Sequence, residues 1–297
     1  MPVLGYCFIA LAAALWGSLG VISRSVLAAG VDPLELSVWR ATIAGALFAV
    51  HAIARGRVRV ARRDYPVLGV FAVVGVSLFY LSYLFAVRTG GAALAAILLY
   101  TAPAWVAVAS ALWLHEPMTR RKLAALATTL IGVACVALGA GGSAGDAGLH
   151  IGPAAIGWGL LSGLAYATYY LFGKRYFVRY EAATLFMYVQ PLGALLLLPL
   201  VHFVDKSAAT WGWILFLGVV PTYVALQLYE AGLRRVEATR AVTVATLEPV
   251  IAAALAYAVW GEALRPLGYA GAALVLAGVL AMSTTPAEPR ALAPDRG

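Results

Sequence analysis

Cysteine and charged residues are both scarce in this chain of 297 residues. The two cysteines, Cys7 and Cys135, both lie in apolar stretches, so the sequence indicates neither a disulfide framework nor a thiolate metal site. Only 11% of the residues are charged, whereas a soluble domain carries about 25%. Because 63% of the residues are hydrophobic, the few charged residues cannot form a polar surface around an apolar core of that size. A water-soluble fold is therefore excluded.

Histidine is scarce as well, which argues against catalysis inside a membrane. The four histidines lie at or near the ends of apolar segments or in loops: His51, His115, His150 and His202. An intramembrane enzyme needs a nucleophile and a base that cluster together. The sequence also lacks a Gly-Lys-Ser/Thr phosphate-binding motif. We therefore predict a protein that is not an enzyme, hydrolyses no ATP and uses no cofactor or metal.

What the chain does have is a series of long apolar segments. A membrane-spanning helix needs about 20 apolar residues. The sequence predicts an all-α integral membrane protein of ten transmembrane helices, at 4–28, 33–54, 65–87, 91–114, 123–140, 152–174, 182–203, 211–233, 237–261 and 266–284. A Gly/Ala/Ser stretch with Asp146 connects the fifth helix to the sixth. The Pro-, Ala- and charge-rich tail, 286–297, is expected to be a disordered cytoplasmic segment.

The basic residues fall mostly on one side of the membrane. If the connections alternate, sixteen of the 21 Lys and Arg residues share a side with the N-terminus, and only Arg24, Arg88, Lys206 and Arg265 lie on the other. Cytoplasmic loops carry the excess of basic residues, so both termini are expected inside the cell, in a bacterial inner membrane. The formal charge of +8 is therefore explained by membrane anchoring, and we expect no nucleic-acid partner.

The second half of the chain repeats the first. At an offset of 146 residues, without a gap, the two halves match at Tyr83 and Tyr229, Arg88 and Arg234, Ala107 and Ala253, and Glu116 and Glu262. This predicts two five-helix repeats, 1–141 and 142–285. Because five is odd, the second repeat is inverted in the membrane. Such halves can exchange conformations and open a central site to either side, which is typical of transporters; duplication as mere bundle building is the alternative.

Several short motifs accompany this architecture: Trp16-Gly17, Arg40 after Leu34-Glu35-Leu36-Ser37-Val38-Trp39, the step Leu247-Glu248-Pro249, and the helix-ending Glu116 and Glu262. Over residues 3–285 the chain resembles the EamA-type branch of the drug/metabolite transporter superfamily. The resemblance implies a ten-helix inverted-repeat transporter that exports amino acids or other metabolites. Bacterial aromatic amino-acid exporters are the nearest likeness within the branch. Ala102 stands where the second half has Glu248, which departs from the repeat.

Two ionisable residues are placed deep in the predicted membrane region. Glu248 lies eleven residues into its helix, about 16 Å from one surface, and Arg40 lies about seven residues from the other. Such residues are functional candidates. Glu248 could bind a substrate ammonium, carry a coupling proton, or only support the kink at Pro249. Arg40 could bind a carboxylate or snorkel outward, but an ion pair with Glu248 is the preferred interpretation.

Aromatic and hydroxyl side chains supply the remaining candidates for a central cavity. We predict that the substrate-binding residues are Trp16, Phe79, Tyr80, Tyr83, Tyr100, Tyr166, Tyr169, Tyr223, Gln227, Thr243 and Thr246. Thr243 and Thr246 share a helical face, and Glu248 lies about 200° from Thr246 at 100° per residue. The threonine face and Glu248 cannot both line one narrow cavity. We favour the threonine face as the lining, although threonines also hold membrane helices together.

This lining fits a neutral or zwitterionic cargo with an apolar side chain. Phosphorylated cargo would need several buried Arg or Lys residues, and only Arg40 is available. We predict export of small-molecule amino acids, neutral and aromatic ones above all. An exporter of multiple drugs or organic cations is the alternative, and a membrane enzyme, a receptor or a lipid-handling protein is a further one. The sequence leaves the oligomeric state open, and a monomer is compatible with it.

Overall fold

The protein is a bundle of helices. A computed structural model describes residues 2–139 and 152–284, and its regular elements are helical. The connection with Asp146, the boundary between the two predicted halves and the tail 286–297 lie outside the described residues.

Thirteen α-helices make up the described part of the chain. They are α1 (Pro2–Ala28), α2 (Pro33–Ala54), α3 (Tyr65–Phe71), α4 (Phe79–Leu99), α5 (Ala102–Ala109), α6 (Arg120–Gly139), α7 (Pro153–Tyr176), α8 (Ala182–Leu197), α9 (Ala208–Gly218), α10 (Ala225–Leu233), α11 (Ala238–Ala245), α12 (Glu248–Trp260) and α13 (Pro266–Thr284). Short 3-10 turns occupy Arg62–Asp64 and Leu198–Leu200, and π-helical segments occupy Ala72–Leu78, Ser110–Leu114 and Val219–Val224.

Eight helical stretches of the described residues are long and apolar enough to cross a membrane, whereas the sequence predicted ten. One stretch, Arg62–Leu114, has 53 residues, or about 80 Å of helix, and is broken at Gly91 by non-helical backbone angles. The helix α7 has 24 residues but is not among the eight. The protein is therefore an all-helical, multi-pass membrane protein, and the count of ten stays a prediction.

Two long helices are broken near the middle, each just before a proline. The chain leaves helical geometry at Tyr100–Thr101 and again at Thr246–Leu247, and each following helix has proline in its first turn, Pro103 or Pro249. Proline lacks the N–H that an interior helical bond requires, whereas the first turn of a helix needs none. The chain is thus interrupted for two residues before each proline, which gives α5 and α12 N-termini of their own inside the bundle.

Other irregularities also recur at the offset of 146 residues. The π-helical segments Ala72–Leu78 and Val219–Val224 occupy matching positions. His115 and Gly261 also match, and both end a helix in the left-handed conformation, with φ of 54° and 70°. Local distortions of this kind depend on sequence and packing, and these two recur at the offset at which the residues match.

Glycines bring α6 and α13 into close contact. A Cβ added to Gly132 would lie 2.7 Å from the backbone nitrogen of Val275, and one added to Gly271 would lie 2.6 Å from the carbonyl oxygen of Gly132. Because these neighbours are backbone atoms, no side chain can move aside. Small residues at such positions let membrane helices approach closely.

We expect Gly132→Ala to lower the free energy of unfolding by about 1–3 kcal/mol through overpacking. Thermal unfolding in detergent would show this as a lower midpoint. Gly157→Ala in α7 is the matched control, because nothing lies within 4 Å of its added Cβ. Equal midpoints for the two variants would contradict the proposed contact between α6 and α13.

The two parts of the second broken helix differ sharply in burial. All eight residues of α11 are buried, whereas no residue of α12 is. The helix α12 therefore has few neighbours on its outer side, and several of its residues face a cavity on the inner side. The broken helix is therefore tightly packed along α11 and loosely packed along α12.

Candidate functional site

A cavity of about 770 Å³ extends from the middle of the bundle to one end. Its inner part lies beside Trp16, Tyr100 and Glu248, at the level of the helix breaks. Its mouth lies where α1 and α12 end, beside Arg24 and Glu262. The described residues at the opposite end of the bundle do not line it, so the cavity opens on one side only.

Seven of the predicted substrate-binding residues line this cavity together: Trp16, Phe79, Tyr80, Tyr83, Tyr100, Tyr166 and Tyr169. They come from α1, α4 and α7 and from the break after α4. The ring of Phe79 stacks on that of Tyr166, with centroids 5.6 Å apart. The wall that they form is aromatic and carries hydroxyl groups, which suits an apolar side chain with some polar character.

Four predicted residues lie outside the cavity. Tyr223 and Gln227 instead hydrogen-bond to one histidine, with the Tyr223 hydroxyl 2.8 Å and the Gln227 amide nitrogen 2.9 Å from Nδ1 of His51. Thr243 and Thr246 are buried and donate to carbonyls of their own helix, Thr243 to Thr239 at 2.8 Å and Thr246 to Thr243 at 2.5 Å.

The preference for the threonine face is therefore wrong for this cavity, because Glu248 lines it and the two threonines do not. Thr246 touches only a small crevice beside Tyr100 with no room for a ligand. The physical reason is the break at Thr246–Leu247, which changes the direction of the chain between Thr243 on α11 and Glu248 on α12. Hydroxyls bound to the preceding turn act as structural groups.

Arg40 and Glu248 both line the cavity, but they do not form the expected ion pair. Both residues are described, and no contact within 4 Å joins their charged groups. Arg40 on α2 donates through Nε to the hydroxyl of Thr222 at 3.2 Å. The carboxyl group of Glu248 lies beside the hydroxyl of Tyr100. The guanidinium of Arg40 interacts with Glu248 only electrostatically, without direct contact. The cavity is therefore lined by one basic and one acidic side chain that are not paired with each other.

Sequence reasoning missed Gln190 on α8. Its side chain is 1% exposed and lines the cavity, and its Oε1 has no hydrogen-bond partner among the described residues. The missed indication was a polar residue beside Pro191 in the middle of an apolar segment, since polar groups at that depth are candidates for function.

The closed end of the bundle is held by a glutamate that caps a helix. The carboxylate of Glu116 accepts hydrogen bonds from the backbone nitrogens of Ala238, at 2.8 Å, and Thr239, at 3.2 Å, and from the Thr239 hydroxyl at 2.9 Å. These groups belong to the first turn of α11, where backbone N–H groups lack helical partners. A carboxylate there is also favoured by the helix dipole.

A buried cluster of charges reinforces this end. Glu237 accepts from Lys122 and from Arg240, both at 2.7 Å. Burial alone would raise the pKa of the Glu237 carboxyl, but the two cations outweigh burial and lower its pKa below the ordinary value. Glu237 therefore stays ionised, and the cluster joins α6 to the start of α11.

The open end is held by exposed ion pairs. Arg24 contacts Glu262 at 2.5 Å, and Arg88 contacts Asp32 at 3.3 Å, with each arginine side chain 56% exposed. Exposed pairs contribute little, typically below about 1 kcal/mol. These two pairs therefore contribute little to the stability of this end, where a buried ion pair of Lys206 and Glu35 also lies.

Comparison with known proteins adds the following findings. The model of the EamA-like transporter family matches residues 3–138 and 153–284. A protein of Archaeoglobus fulgidus described as an uncharacterized transporter is 33% identical, over 93% of this chain and 95% of its own. A probable terminal-alkyne amino-acid exporter of Streptantibioticus cattleyicolor is 27% identical, over 84% of this chain and 83% of its own.

The fold has a counterpart among solved structures. One crystal structure superposes with a TM-score of 0.79 and covers 95% of this chain and 96% of its own. The sequences are 20% identical, so this likeness concerns the fold alone.

Proposed function

The chain belongs to the EamA-like transporter family, and from this premise we propose that it exports neutral amino acids, aromatic ones above all, across a bacterial inner membrane. The observation that carries the proposal is a cavity lined by one basic and one acidic side chain, Arg40 and Glu248, beside an aromatic wall. A zwitterionic amino acid presents one carboxylate, one ammonium and a side chain, which match these three features.

The proposed architecture is ten helices in two inverted repeats, 1–141 and 142–285. It is supported by the irregularities that recur at an offset of 146 residues. Packing supports it too, because helices that correspond to each other at this offset are in contact, α2 with α8 and α6 with α13. The run Arg62–Leu114 then crosses the membrane twice, with Gly91 near the turn, and α7 crosses once.

The proposed mechanism is alternating access. If the basic loops face the cytoplasm, as the positive-inside rule requires, the mouth beside Arg24 and Glu262 faces outward and the end capped by Glu116 faces inward. The structure then corresponds to a state that releases exported cargo. Exchange of conformation between the two halves would close this mouth and open the other end.

The charges of the cavity favour an amino acid over an organic cation. A cation exporter needs the carboxylate of Glu248 and the aromatic wall, but it has no use for Arg40 in the same cavity, since like charges repel. The Streptantibioticus cattleyicolor relative, described as a probable exporter of an amino acid, agrees with this choice.

Counterflow in proteoliposomes tests the proposal. Vesicles loaded with phenylalanine receive labelled phenylalanine outside, and competitors are phenethylamine, which lacks the carboxylate, and 3-phenylpropionate, which lacks the ammonium. We expect uptake that phenylalanine and tryptophan block and that both one-charge analogues block poorly, with protein-free vesicles as the control. Competition by phenethylamine as strong as by phenylalanine would favour the organic-cation alternative, and absence of exchange would refute the amino-acid assignment.

A further inference from the structure

Four exposed arginines have no acidic partner among the described residues. Three lie on the connection between α2 and α3, and the fourth lies on the connection between α7 and α8: Arg59, Arg62, Arg63 and Arg179. No hydrogen bond or ion pair joins their side chains to any described residue, whereas the neighbouring Arg57 lies 2.5 Å from Glu181. We call these four residues the arginine surface.

The acids closest to this surface in the chain are already engaged within the protein. Glu181 contacts Arg57, and Asp64 is 6% exposed and accepts a hydrogen bond from the Tyr180 hydroxyl at 2.6 Å. The arginine surface therefore carries positive charge that no described acid compensates. A partner that matches it supplies negative charge from outside the protein.

The connection between α2 and α3 is held in a fixed position by hydrogen bonds. Thr184 and Tyr188 on α8 donate to two of its backbone carbonyls, at 2.6 and 2.7 Å. The hydroxyl of Tyr180, one residue after Arg179, accepts from the backbone nitrogen of Ala61 at 3.1 Å. The two connections are thus joined to each other, and binding a partner here requires little further ordering of the backbone.

Burial alternates along this connection, which turns its arginines outward. Val58 and Val60 pack against the main apolar core, with Val60 8% exposed, whereas Arg57 and Arg59 on either side of Val58 are exposed. The next two members of the arginine surface follow in the 3-10 turn that leads into α3, and they are exposed as well. These side chains are therefore available to an external partner.

The arginine surface lies at the boundary of the membrane. One stretch long and apolar enough to cross the membrane ends at Ala54, another begins at Arg62, and a third begins at Ala182. Tyr65 is 42% exposed, and tyrosines are enriched at the level of the lipid headgroups. The partner of opposite charge that a membrane offers at this level is an anionic lipid.

We propose that the arginine surface binds an anionic phospholipid through the phosphate of its headgroup. Guanidinium groups form paired hydrogen bonds with phosphate oxygens, and basic residues next to a membrane-crossing helix attract anionic lipids. The four arginines come from two connections that Tyr180 joins, one in each proposed repeat. The inference goes beyond the proposed function, because it holds for any cargo and for either orientation of the chain in the membrane.

Binding of phosphatidylglycerol to the delipidated full chain in detergent micelles tests this proposal, with native mass spectrometry as the readout. We expect phosphatidylglycerol to bind at least about tenfold more tightly than zwitterionic phosphatidylcholine. Arg62→Gln combined with Arg63→Gln should reduce the affinity for phosphatidylglycerol by about tenfold and leave that for phosphatidylcholine unchanged. Glycerophosphoglycerol, the same headgroup without acyl chains, should not displace the lipid at equal concentration.

Arg120→Gln combined with Arg121→Gln is the matched control. These two arginines are also adjacent, exposed and located at the start of a membrane-crossing stretch, so their replacement removes the same charge from another connection. It should change the affinity for phosphatidylglycerol by less than about twofold. Equal losses for the two pairs of substitutions, no preference for phosphatidylglycerol, or displacement by glycerophosphoglycerol would overturn the inference.

Arg62→Lys combined with Arg63→Lys keeps the test decisive if the glutamine pair does not fold. Lysine retains both charges but cannot form paired hydrogen bonds with one phosphate, so we expect the affinity to fall about threefold. Unchanged affinity in this variant would count against binding by the arginine surface. The assay contains no cargo, so its outcome is independent of whether the protein exports amino acids.

Discussion

Replacing Glu248 with glutamine should reduce amino-acid exchange by about tenfold to a hundredfold. The carboxylate lines the cavity, and a hydrogen bond to a charged group contributes about 1.5–3 kcal/mol. Glutamine keeps the shape of the side chain but lowers the affinity for an ammonium. The measurement is counterflow of labelled phenylalanine in proteoliposomes with equal amounts of folded protein.

The control for this variant is Glu262→Gln, which removes a carboxylate at the mouth that is paired with exposed Arg24. We expect it to leave the affinity for phenylalanine within about twofold. Arg40→Gln gives the reciprocal test, because it should weaken competition by amino acids while leaving phenethylamine unaffected. Full exchange by Glu248→Gln would show that this carboxylate does not bind cargo.

Replacing Glu116 with glutamine should shift the protein toward the state that is open to the cytoplasm. The substitution weakens the cap on α11, because glutamine cannot replace a carboxylate that accepts from two backbone N–H groups and one hydroxyl. Losing the equivalent of one bond to a charged group changes the equilibrium about tenfold or more. In the proposed inverted repeat, Glu262 corresponds to Glu116, and Ala92 and Ala93 correspond to Ala238 and Thr239. All three of Glu262, Ala92 and Ala93 line the cavity, and we expect Glu262 to cap that turn in the other state.

Labelling of a cysteine in the cavity measures this shift. The background carries Cys7→Ala and Cys135→Ala, and Ala256→Cys places one thiol on the cavity wall near the mouth. A membrane-impermeant maleimide added outside should label it about tenfold more slowly when Glu116→Gln is present. Glu262→Gln in the same background should not slow the labelling. Unchanged labelling in a folded Glu116→Gln protein would contradict the role of the cap.

The sequence predicted the position of the cavity better than its lining. The apolar segments and the prolines at the breaks are local patterns, and the helices follow them closely. Helical spacing also grouped the cavity aromatics on α4 and α7. These features depend on residues close together in the chain, which is why they can be read from it.

Three features of the lining depend on packing between distant segments and could not be predicted in this way. The break at Thr246–Leu247 interrupts the helical projection on which the threonine face was chosen. Arg40 donates to a hydroxyl on a distant segment, that of Thr222, in place of Glu248. Gln190 belongs to no periodic pattern of polar residues in the sequence, and it lines the cavity because of where α8 packs.

The unequal burial of α11 and α12 has a consequence for the energy needed to change state. Every residue of α11 is buried and none of α12 is, so closing one end and opening the other would mainly transfer burial from one helix to its neighbour. If the halves are alike, the packing that forms at one end nearly replaces the packing that opens at the other, and the two states differ by little free energy. A cargo that binds both states equally does not shift the equilibrium between them. No such shift is needed when the two states have nearly the same free energy. Without a coupled ion, the concentrations of cargo on the two sides of the membrane would then decide the direction of net flow.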